Sequence, residues 1–176
     1  MNSDGIWGNI FRFSKRQDSL AEVLHNVPLF RDLTPKELRI LEGLVHIRTY
    51  EAGEPVFLES EPGAGMYVIR SGRVDVVLKH NTLNPIILAE LEPGDFFGEM
   101  ALLGDSSRSA TAVARERSEL IGFFHPDLLE IINLHPVTGS KITFGLAKTL
   151  SERLRYTNMQ LREIWEIRGQ HEEPIR

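Results

Sequence analysis

Between residues 46 and 125 the chain alternates short apolar runs with turn signals, and the runs are rich in β-branched and aromatic residues. The clearest runs cover residues 56–58, 66–69, 74–78, 85–88, 110–114 and 120–124. Glycine, proline, asparagine and aspartate separate them, as expected for tight connections. Many short strands at close intervals are typical of an all-β barrel or roll, and we expect about eight strands in this region.

Helical signals precede the β-rich region. Residues 20–27 are expected to form a short helix that ends near Pro28. Thr34, Pro35 and Glu37 then have the form of a capping box, with Thr34 as the N-cap, and a leucine stripe at helical spacing follows. The β-rich unit therefore begins with N-terminal helices.

Helical periodicity returns after Pro126, where we expect a short helix over residues 127–134 and a long helix over residues 137–168. Seven positions of the long helix recur at alternating spacings of three and four: Ala147, Leu150, Leu154, Thr157, Leu161, Ile164 and Arg168. This is heptad spacing, and a helix of this length outruns the body that it could cover. We therefore expect a homodimer through the C-terminal helix; the alternative is that the stripe packs on the chain's own β body.

The expected organisation is an N-terminal extension (1–18), a β-rich unit with flanking helices (19–136), and a long C-terminal helix with a tail (137–176). In the extension, Ile6, Ile10 and Phe13 are spaced for one face of a short helix. We interpret it as a frayed tail or a segment packed on the body. Anchoring to a membrane surface or a partner is the alternative, which nearby basic residues favour.

Composition narrows the classes of function. The chain has 176 residues, 20 basic against 25 acidic side chains, and a formal net charge of −5, which does not favour direct nucleic acid binding. It contains no cysteine, which excludes disulfides, thiolate metal sites and a cysteine nucleophile. No apolar run is long enough to span a membrane, so we expect a cytoplasmic protein and do not expect a membrane partner.

The stretch from Gly94 to Thr111 contains the residues whose side chains and backbone groups are suited to binding a ligand. Gly98 permits close backbone approach to a ligand, and Glu99 begins a single helical turn whose first N–H groups can face an anion. Arg108 follows nine residues after Glu99, with Ser109 beside it. An arginine that faces a helix N-terminus suits a phosphate, whereas a carboxylate there suits a neutral hydroxyl. Together they predict a sugar phosphate ligand; the alternative is that Glu99 and Arg108 only pair with each other.

This stretch resembles the phosphate-binding cassette of cyclic nucleotide-binding domains, such as those of the catabolite activator protein and of kinase regulatory subunits. The resemblance covers roughly residues 20–168 and implies a β-roll with about eight strands, N-terminal helices and a long C-terminal helix. It implies that Glu99 binds the ribose 2′-hydroxyl, that Gly98 and Ala101 offer backbone N–H groups, and that Arg108 and Ser109 bind the cyclic phosphate. The same cassette brings Phe97, Met100 and Ala110 into the expected site.

The base is expected to meet the long helix. In similar bacterial regulators this helix reaches the adenine with small polar residues, and Thr157 and Asn158 lie at about that place. A threonine in an apolar seam fits this role, although a seam threonine without any such role is a comparable alternative. Ser109, where some relatives have threonine, favours cAMP over cGMP.

The resemblance implies a stand-alone cyclic nucleotide-binding regulatory protein that senses cAMP and signals through its C-terminal helix to a separate, unknown effector. The winged helix-turn-helix of similar transcription regulators is not expected, because only residues 169–176 follow the long helix. The alternative is a dimeric interaction or scaffold protein whose β-roll no longer binds a nucleotide. An enzyme is not expected, and neither is a metal, because the six histidines are scattered along the sequence.

Overall fold

The computed structural model describes residues 19–80, 82–104 and 107–169, and the side chains of these up to residue 166. The described helices are α1 (Leu20–Asn26), α2 (Pro35–Glu42), α3 (His125–Leu134) and α4 (Pro136–Gly169). The described strands are β1 (His46–Tyr50), β2 (Pro55–Phe57), β3 (Gly65–Ser71), β4 (Val74–Leu78), β5 (Ile86–Leu91), β6 (Phe96–Phe97), β7 (Thr111–Ala114) and β8 (Ser118–Phe124). Short 3₁₀ helices cover Pro28–Phe30 and Glu99–Leu103. The N-terminal extension lies outside the described residues.

The eight strands form two four-stranded antiparallel sheets, with strand orders β1-β8-β3-β6 and β2-β7-β4-β5. This confirms the predicted β-roll with N-terminal helices and a long C-terminal helix. Two strands were absent from the apolar runs in the sequence. In β1 four of five residues are exposed at a sheet edge, and β6 has only two residues, so neither produces a clear apolar pattern.

The helix boundaries follow from capping. Thr34 and Glu37 form the predicted capping box: the Thr34 N–H donates to Glu37 Oε2 at 2.7 Å and the Glu37 N–H donates to Thr34 Oγ1 at 3.4 Å. Helix α3 begins at His125, two residues earlier than predicted. Pro126 falls in its first turn, where a missing N–H costs no hydrogen bond.

Two apolar clusters make the core. One lies between the two sheets and includes Tyr50, Phe97 and Leu120. The other joins the N-terminal helices, α3 and the first half of α4 to the sheet that contains β3 and β8, with Phe30 and Phe123 edge-to-face at its centre. This second cluster seats the start of α4 on the body.

Helix α4 changes its surroundings along its length. Ile142 and Leu146 are buried in the core, and Gly145 lies so close to the backbone of Leu29 that a Cβ atom there would sit 2.7 Å from its carbonyl oxygen. Leu150 is partly buried, whereas Leu154, Leu161 and Ile164 are at least half exposed. Beyond Leu150 the apolar stripe therefore does not pack on the chain's own β body. Among the described residues, no helix is long and apolar enough to cross a membrane.

Glu37 also connects the N-terminal helices to α4. Besides capping α2, its carboxylate accepts a hydrogen bond from Lys141 Nζ at 2.7 Å and one from Thr138 Oγ1 at 3.5 Å. The Lys141 ammonium, with the Thr34 N–H, lowers the pKa of Glu37 from 4.5 to about 2. The charged form of Glu37 is thus stabilised in the folded state.

We expect Glu37→Gln to lower the free energy of unfolding at neutral pH. Because the folded pKa of Glu37 is depressed, its contribution is complete above the unfolded value near 4.5 and is lost as pH falls towards 2. Urea unfolding between pH 7 and pH 2 should therefore show the two proteins converging at low pH. The matched control is Glu130→Gln on the exposed side of α3, which should track the original protein. A Glu37→Gln difference that stays constant over this range would contradict the linkage.

Candidate functional site

The predicted cassette forms one side of a pocket at the end of β6. Twelve of the described residues line it: Phe57, Val76, Phe97, Gly98, Glu99, Met100, Ala101, Ser107, Arg108, Ser109, Ala110 and Arg153. Eight of the ten residues predicted from the sequence are among them. The strands β2, β4 and β6 supply the walls, the 3₁₀ helix Glu99–Leu103 supplies one rim, and α4 supplies Arg153.

Gly98 allows the backbone to turn from β6 into the 3₁₀ helix. Its φ is +76°, in the left-handed region that L side chains rarely adopt. A Cβ atom at this position would also lie 2.6 Å from Arg108 Nη1 and 3.2 Å from the carbonyl oxygen of Gly65. The backbone conformation therefore favours glycine, and a side chain at this position would also press against the Arg108 guanidinium.

Arg108 is a buried cation on an aromatic platform. Its residue is only 7% exposed, and its guanidinium carbon lies 3.9 Å from the centre of the Phe57 ring. Phe57 in turn contacts Phe97, with ring centres 5.8 Å apart. Planar stacking and burial suit arginine better than lysine. The side chain is thereby held in one orientation before any ligand arrives.

The hydrogen bonds of Arg108 are incomplete. Nη1 donates to the Gly98 carbonyl oxygen at 3.2 Å, whereas the buried Nε has no hydrogen-bond partner among the described residues. Burial lowers the pKa of Arg108 from its ordinary value, and the nearby Tyr67, Glu61 and Glu99 act in the opposite direction. A desolvated guanidinium with an unsatisfied N–H is suited to a bound anion.

The loop between β2 and β3 supports the backbone at Arg108. The Ser60 N–H donates to the Arg108 carbonyl oxygen at 2.8 Å, and the Arg108 N–H donates to the Glu61 carbonyl oxygen at the same distance. Ser60 has a φ of +70°, which is unusual for a residue with a side chain. These two backbone hydrogen bonds hold Arg108 against the loop between β2 and β3. The sequence pattern did not reveal this contact.

Glu99 is paired with α4 rather than with Arg108. The Glu99 residue is 3% exposed, and its Oε2 lies 2.5 Å from Arg153 Nη1. Arg153 also donates through Nη2 to the Phe96 carbonyl oxygen at 3.2 Å, and it lies over the Phe96 ring. Glu99 therefore does not rely on Arg108 for charge compensation, which argues against the mutual-pair alternative. It also connects the pocket directly to the long helix.

Sequence reasoning missed four of the lining residues, Phe57, Val76, Ser107 and Arg153. Of these, Arg153 is the one that belongs to α4. It lies one helical turn before Thr157, so the only available signal was its helical spacing from a residue already assigned to the ligand. Basic residues are frequent on this helix, and their sequence spacing does not distinguish one that turns inwards. The inward orientation depends on the packing of α4 against the body.

The structure does not bring Thr157 and Asn158 to the pocket of this chain. Both are exposed on α4, and the Thr157 hydroxyl donates to the Arg153 carbonyl oxygen at 3.0 Å. They lie just beyond the residue that reaches the pocket. A contact with the base through these two residues stays a prediction.

A second polar link runs from the cassette to the start of α3. His125 at the start of α3 donates from Nδ1 to the Leu102 carbonyl oxygen at 2.7 Å, because a carbonyl can only accept. Leu102 is itself fully buried beside Leu128 and Ile131 of α3. The 3₁₀ helix is therefore joined to α3 by both packing and a hydrogen bond. Within the described part of the chain, no group of three or more potential metal ligands occurs.

Comparison with known proteins agrees with this geometry. The family model described as "Cyclic nucleotide-binding domain" matches residues 47–135. The Cyclic AMP receptor protein of Thermus thermophilus is 37% identical over 134 residues, which cover 76% of this chain and 60% of that protein. The cAMP-dependent protein kinase regulatory subunit of Colletotrichum orbiculare is 34% identical over 102 residues, covering 58% of this chain and 25% of the subunit.

Among solved structures, the Catabolite Activator Protein of Thermus thermophilus superposes with a TM-score of 0.69 at 36% identity, covering 78% of this chain and 62% of that one. The chain thus spans less than two thirds of these relatives. The shared part contains the β-roll with the pocket built around Gly98, Glu99 and Arg108. The chain belongs to the cyclic nucleotide-binding domain family.

Proposed function

We propose that this chain is a cAMP-binding regulatory protein in which the occupied pocket is sensed by the long helix α4. The observation that carries the proposal is the buried Arg108 guanidinium, which is fixed on Phe57 and keeps an unsatisfied Nε in the pocket region. A cyclic phosphate supplies a single negative charge together with acceptor oxygens. Its oxygens would accept a hydrogen bond from the Arg108 Nε, and its single charge would balance the guanidinium without leaving an unpaired buried charge.

Glu99 gives the site its preference for a sugar next to the phosphate. A buried carboxylate accepts a hydrogen bond from a neutral hydroxyl, whereas it repels the phosphate itself. Arg153 offsets the charge of Glu99, so a carboxylate that binds the hydroxyl and a guanidinium that binds the phosphate can share one pocket. Glu99 is therefore assigned to the ribose 2′-hydroxyl and Arg108 to the phosphate, with Ser109 on the pocket lining beside it.

We assign adenine as the base of the ligand. Ser109 favours cAMP over cGMP, and the Thermus thermophilus relative is named a Cyclic AMP receptor protein. Val76 supplies an apolar wall to the pocket. We assign Thr157 and Asn158 to contact with the adenine. They would make this contact when α4 is paired with the α4 of a second copy of the chain.

Signalling is proposed to use the contacts that join the pocket to α4. The ligand hydroxyl and Arg153 meet at the same carboxylate, so binding changes the surroundings of the helix where it crosses the pocket. His125 transmits the position of the cassette to α3 in parallel. A ligand shifts such an equilibrium only by its difference in affinity for the two arrangements. A binding role fits the names of the relatives, which are a receptor and a regulatory subunit.

A homodimer through α4 is part of the proposal. Leu154, Leu161 and Ile164 are 62%, 50% and 54% exposed, and their spacing is that of a coiled-coil seam. An exposed stripe of this kind is stabilised when a second helix covers it. The separate effector and the cytoplasmic location stay predictions.

We expect Arg108→Lys and Arg108→Ala to weaken cAMP binding by at least about 10- to 100-fold, because charge-assisted hydrogen bonds contribute roughly 1.5–3 kcal/mol. Isothermal titration with cAMP and cGMP measures this. Arg117→Ala is the matched control, since the Arg117 side chain is 72% exposed on a strand connection outside the pocket. Thermal melts verify that each variant is folded. Equal affinity in all proteins would remove Arg108 from the site, whereas no binding of either nucleotide by the original protein would favour the scaffold alternative.

The role of Glu99 is tested with a ligand that lacks one atom. The original protein should bind 2′-deoxy-cAMP more weakly than cAMP, by about 10-fold, as expected for a lost hydrogen bond to a charged group. In Glu99→Gln the two ligands should differ much less, because the charged acceptor is gone. If Glu99→Gln discriminates between the two ligands as strongly as the original protein does, the 2′-hydroxyl contact lies elsewhere.

The dimer is tested by placing charge on the exposed stripe. We expect the double variant Leu154→Glu and Leu161→Glu to sediment as a monomer in analytical ultracentrifugation, because two facing pairs of carboxylates would be buried in the seam. Met159→Glu is the matched control: Met159 is 59% exposed on the same helix but lies on a different face. A monomeric original protein, or a dimer that survives the double variant, would contradict the seam.

A further inference from the structure

A second concave surface lies at the N-terminal helices, away from the nucleotide pocket. It is a groove between α1 and α2 that we call the helical groove, lined by Ala21, Glu22, His25, Asn26, Leu33, Pro35, Leu38, Arg39 and Glu42. Ala21, Leu33 and Leu38 make its apolar floor, and Leu33 and Leu38 are nearly fully buried beneath it. Such a floor is suited to large apolar side chains from another segment.

The rim of the helical groove carries more negative than positive charge. Glu22 and Glu42 contribute two carboxylates, and Arg39 contributes one guanidinium. Arg39 already donates from Nε to the Pro35 carbonyl oxygen of its own helix at 3.3 Å. Glu22 holds the N-terminus of α1 through Oε2, which accepts from the Ser19 N–H at 2.8 Å. The groove thus combines an apolar floor with an acidic rim.

The segment that precedes α1 has the complementary chemistry. Residues 6–16 contain five large apolar side chains and three basic ones, and they contain no acidic residue. The apolar ones are Ile6, Trp7, Ile10, Phe11 and Phe13, and the basic ones are Arg12, Lys15 and Arg16. A chain segment with this composition pairs naturally with an apolar floor that has carboxylates at its edge.

The segment is also close to the helical groove along the chain. The groove begins at Ala21, only two residues after Ser19, the N-cap of α1. Residue 13 precedes Ser19 by six residues, a stretch that can span up to about 20 Å when extended. Helix α1 has seven residues and is about 10 Å long. The apolar residues can therefore reach any point of the groove without strain in the connection.

We propose that residues 6–13 dock into the helical groove of their own chain, with Trp7 on the apolar floor and the following basic residues near Glu22 and Glu42. The short covalent connection favours this occupant over any partner in solution, because it gives the segment a high effective concentration. The proposal is independent of nucleotide binding. Since Glu37 of α2 holds Lys141 of α4, the docked segment also braces the helices that carry the start of α4.

The test uses a tryptophan-quenched fluorophore, which the absence of native cysteines makes simple. The chain has only two tryptophans, so Trp165→Phe leaves Trp7 as the sole quencher. A bimane label on His25→Cys reports from the groove rim, and the same label on Ala52→Cys reports from the exposed turn before β2. We expect loss of bimane emission at position 25 that Trp7→Phe restores, with no effect of Trp7→Phe at position 52. Equal emission with and without Trp7 at position 25 would overturn the proposal.

A second measurement does not depend on a label. In the Trp165→Phe protein, Ala21→Arg should shift Trp7 emission to longer wavelength and increase its quenching by iodide, because a cation on the floor repels the basic segment. Ala52→Arg is the matched control and should leave both unchanged. Circular dichroism establishes that Ala21→Arg keeps its helices. Trp7 emission that is already solvent-like in the Trp165→Phe protein, and stays so in Ala21→Arg, would overturn docking.

Two rival occupants have their own outcomes. Labelled protein with Trp7→Phe is mixed with unlabelled protein that retains Trp7; quenching in this mixture would overturn docking within one chain in favour of a second copy. Vesicles of phosphatidylserine and phosphatidylcholine test a lipid surface. A Trp7 emission shift that occurs only with vesicles, without bimane quenching in their absence, would overturn the proposal in favour of an anchor.

Discussion

The structure depends on one electrostatic constraint: a guanidinium that is buried before a counter-ion is bound. Arg108 lies over Phe57 and donates to the Gly98 carbonyl oxygen, yet its Nε has no partner among the described residues. A buried donor in this state costs free energy. Three contacts hold Arg108 in this position despite the cost: the turn at Gly98, the Phe57 ring and the loop at Ser60. In the proposed function, an anion of the right size would relieve this unfavourable state.

The neighbouring carboxylate, Glu99, does have a partner, and this ion pair connects the pocket to the rest of the molecule. Glu99 is fully compensated by Arg153, which belongs to α4. The helix that carries Arg153 starts on the N-terminal helices through Lys141 and Glu37, and the cassette reaches α3 through His125. Two polar contacts thus join the site to α4 and to α3, and the third joins α4 to α2. Each one lies between elements that are far apart in the sequence.

The sequence predicted those parts of the molecule that are encoded locally. The β-roll, the Thr34 capping box, the break between α3 and α4 and the cassette from Phe97 to Ala110 all depend on neighbouring residues, and the structure places the cassette residues around one pocket. Strand β1 was not found because four of its five residues face solvent. Arg153 and the Ser60 contact were not found because their roles arise from contacts over 45 or more positions, which no local pattern contains.

The single-helix continuity of α4 has a mechanical consequence. Arg153 fixes the helix where it passes the pocket, and sixteen residues, Leu154 to Gly169, extend beyond this point. At 1.5 Å per residue the overhang is about 24 Å long, so a tilt of roughly 10° about Arg153 displaces its tip by about 4 Å. In the proposed signalling, this overhang would act as a lever arm, so that a small adjustment at the Glu99 carboxylate would become a displacement of its tip as large as a side chain.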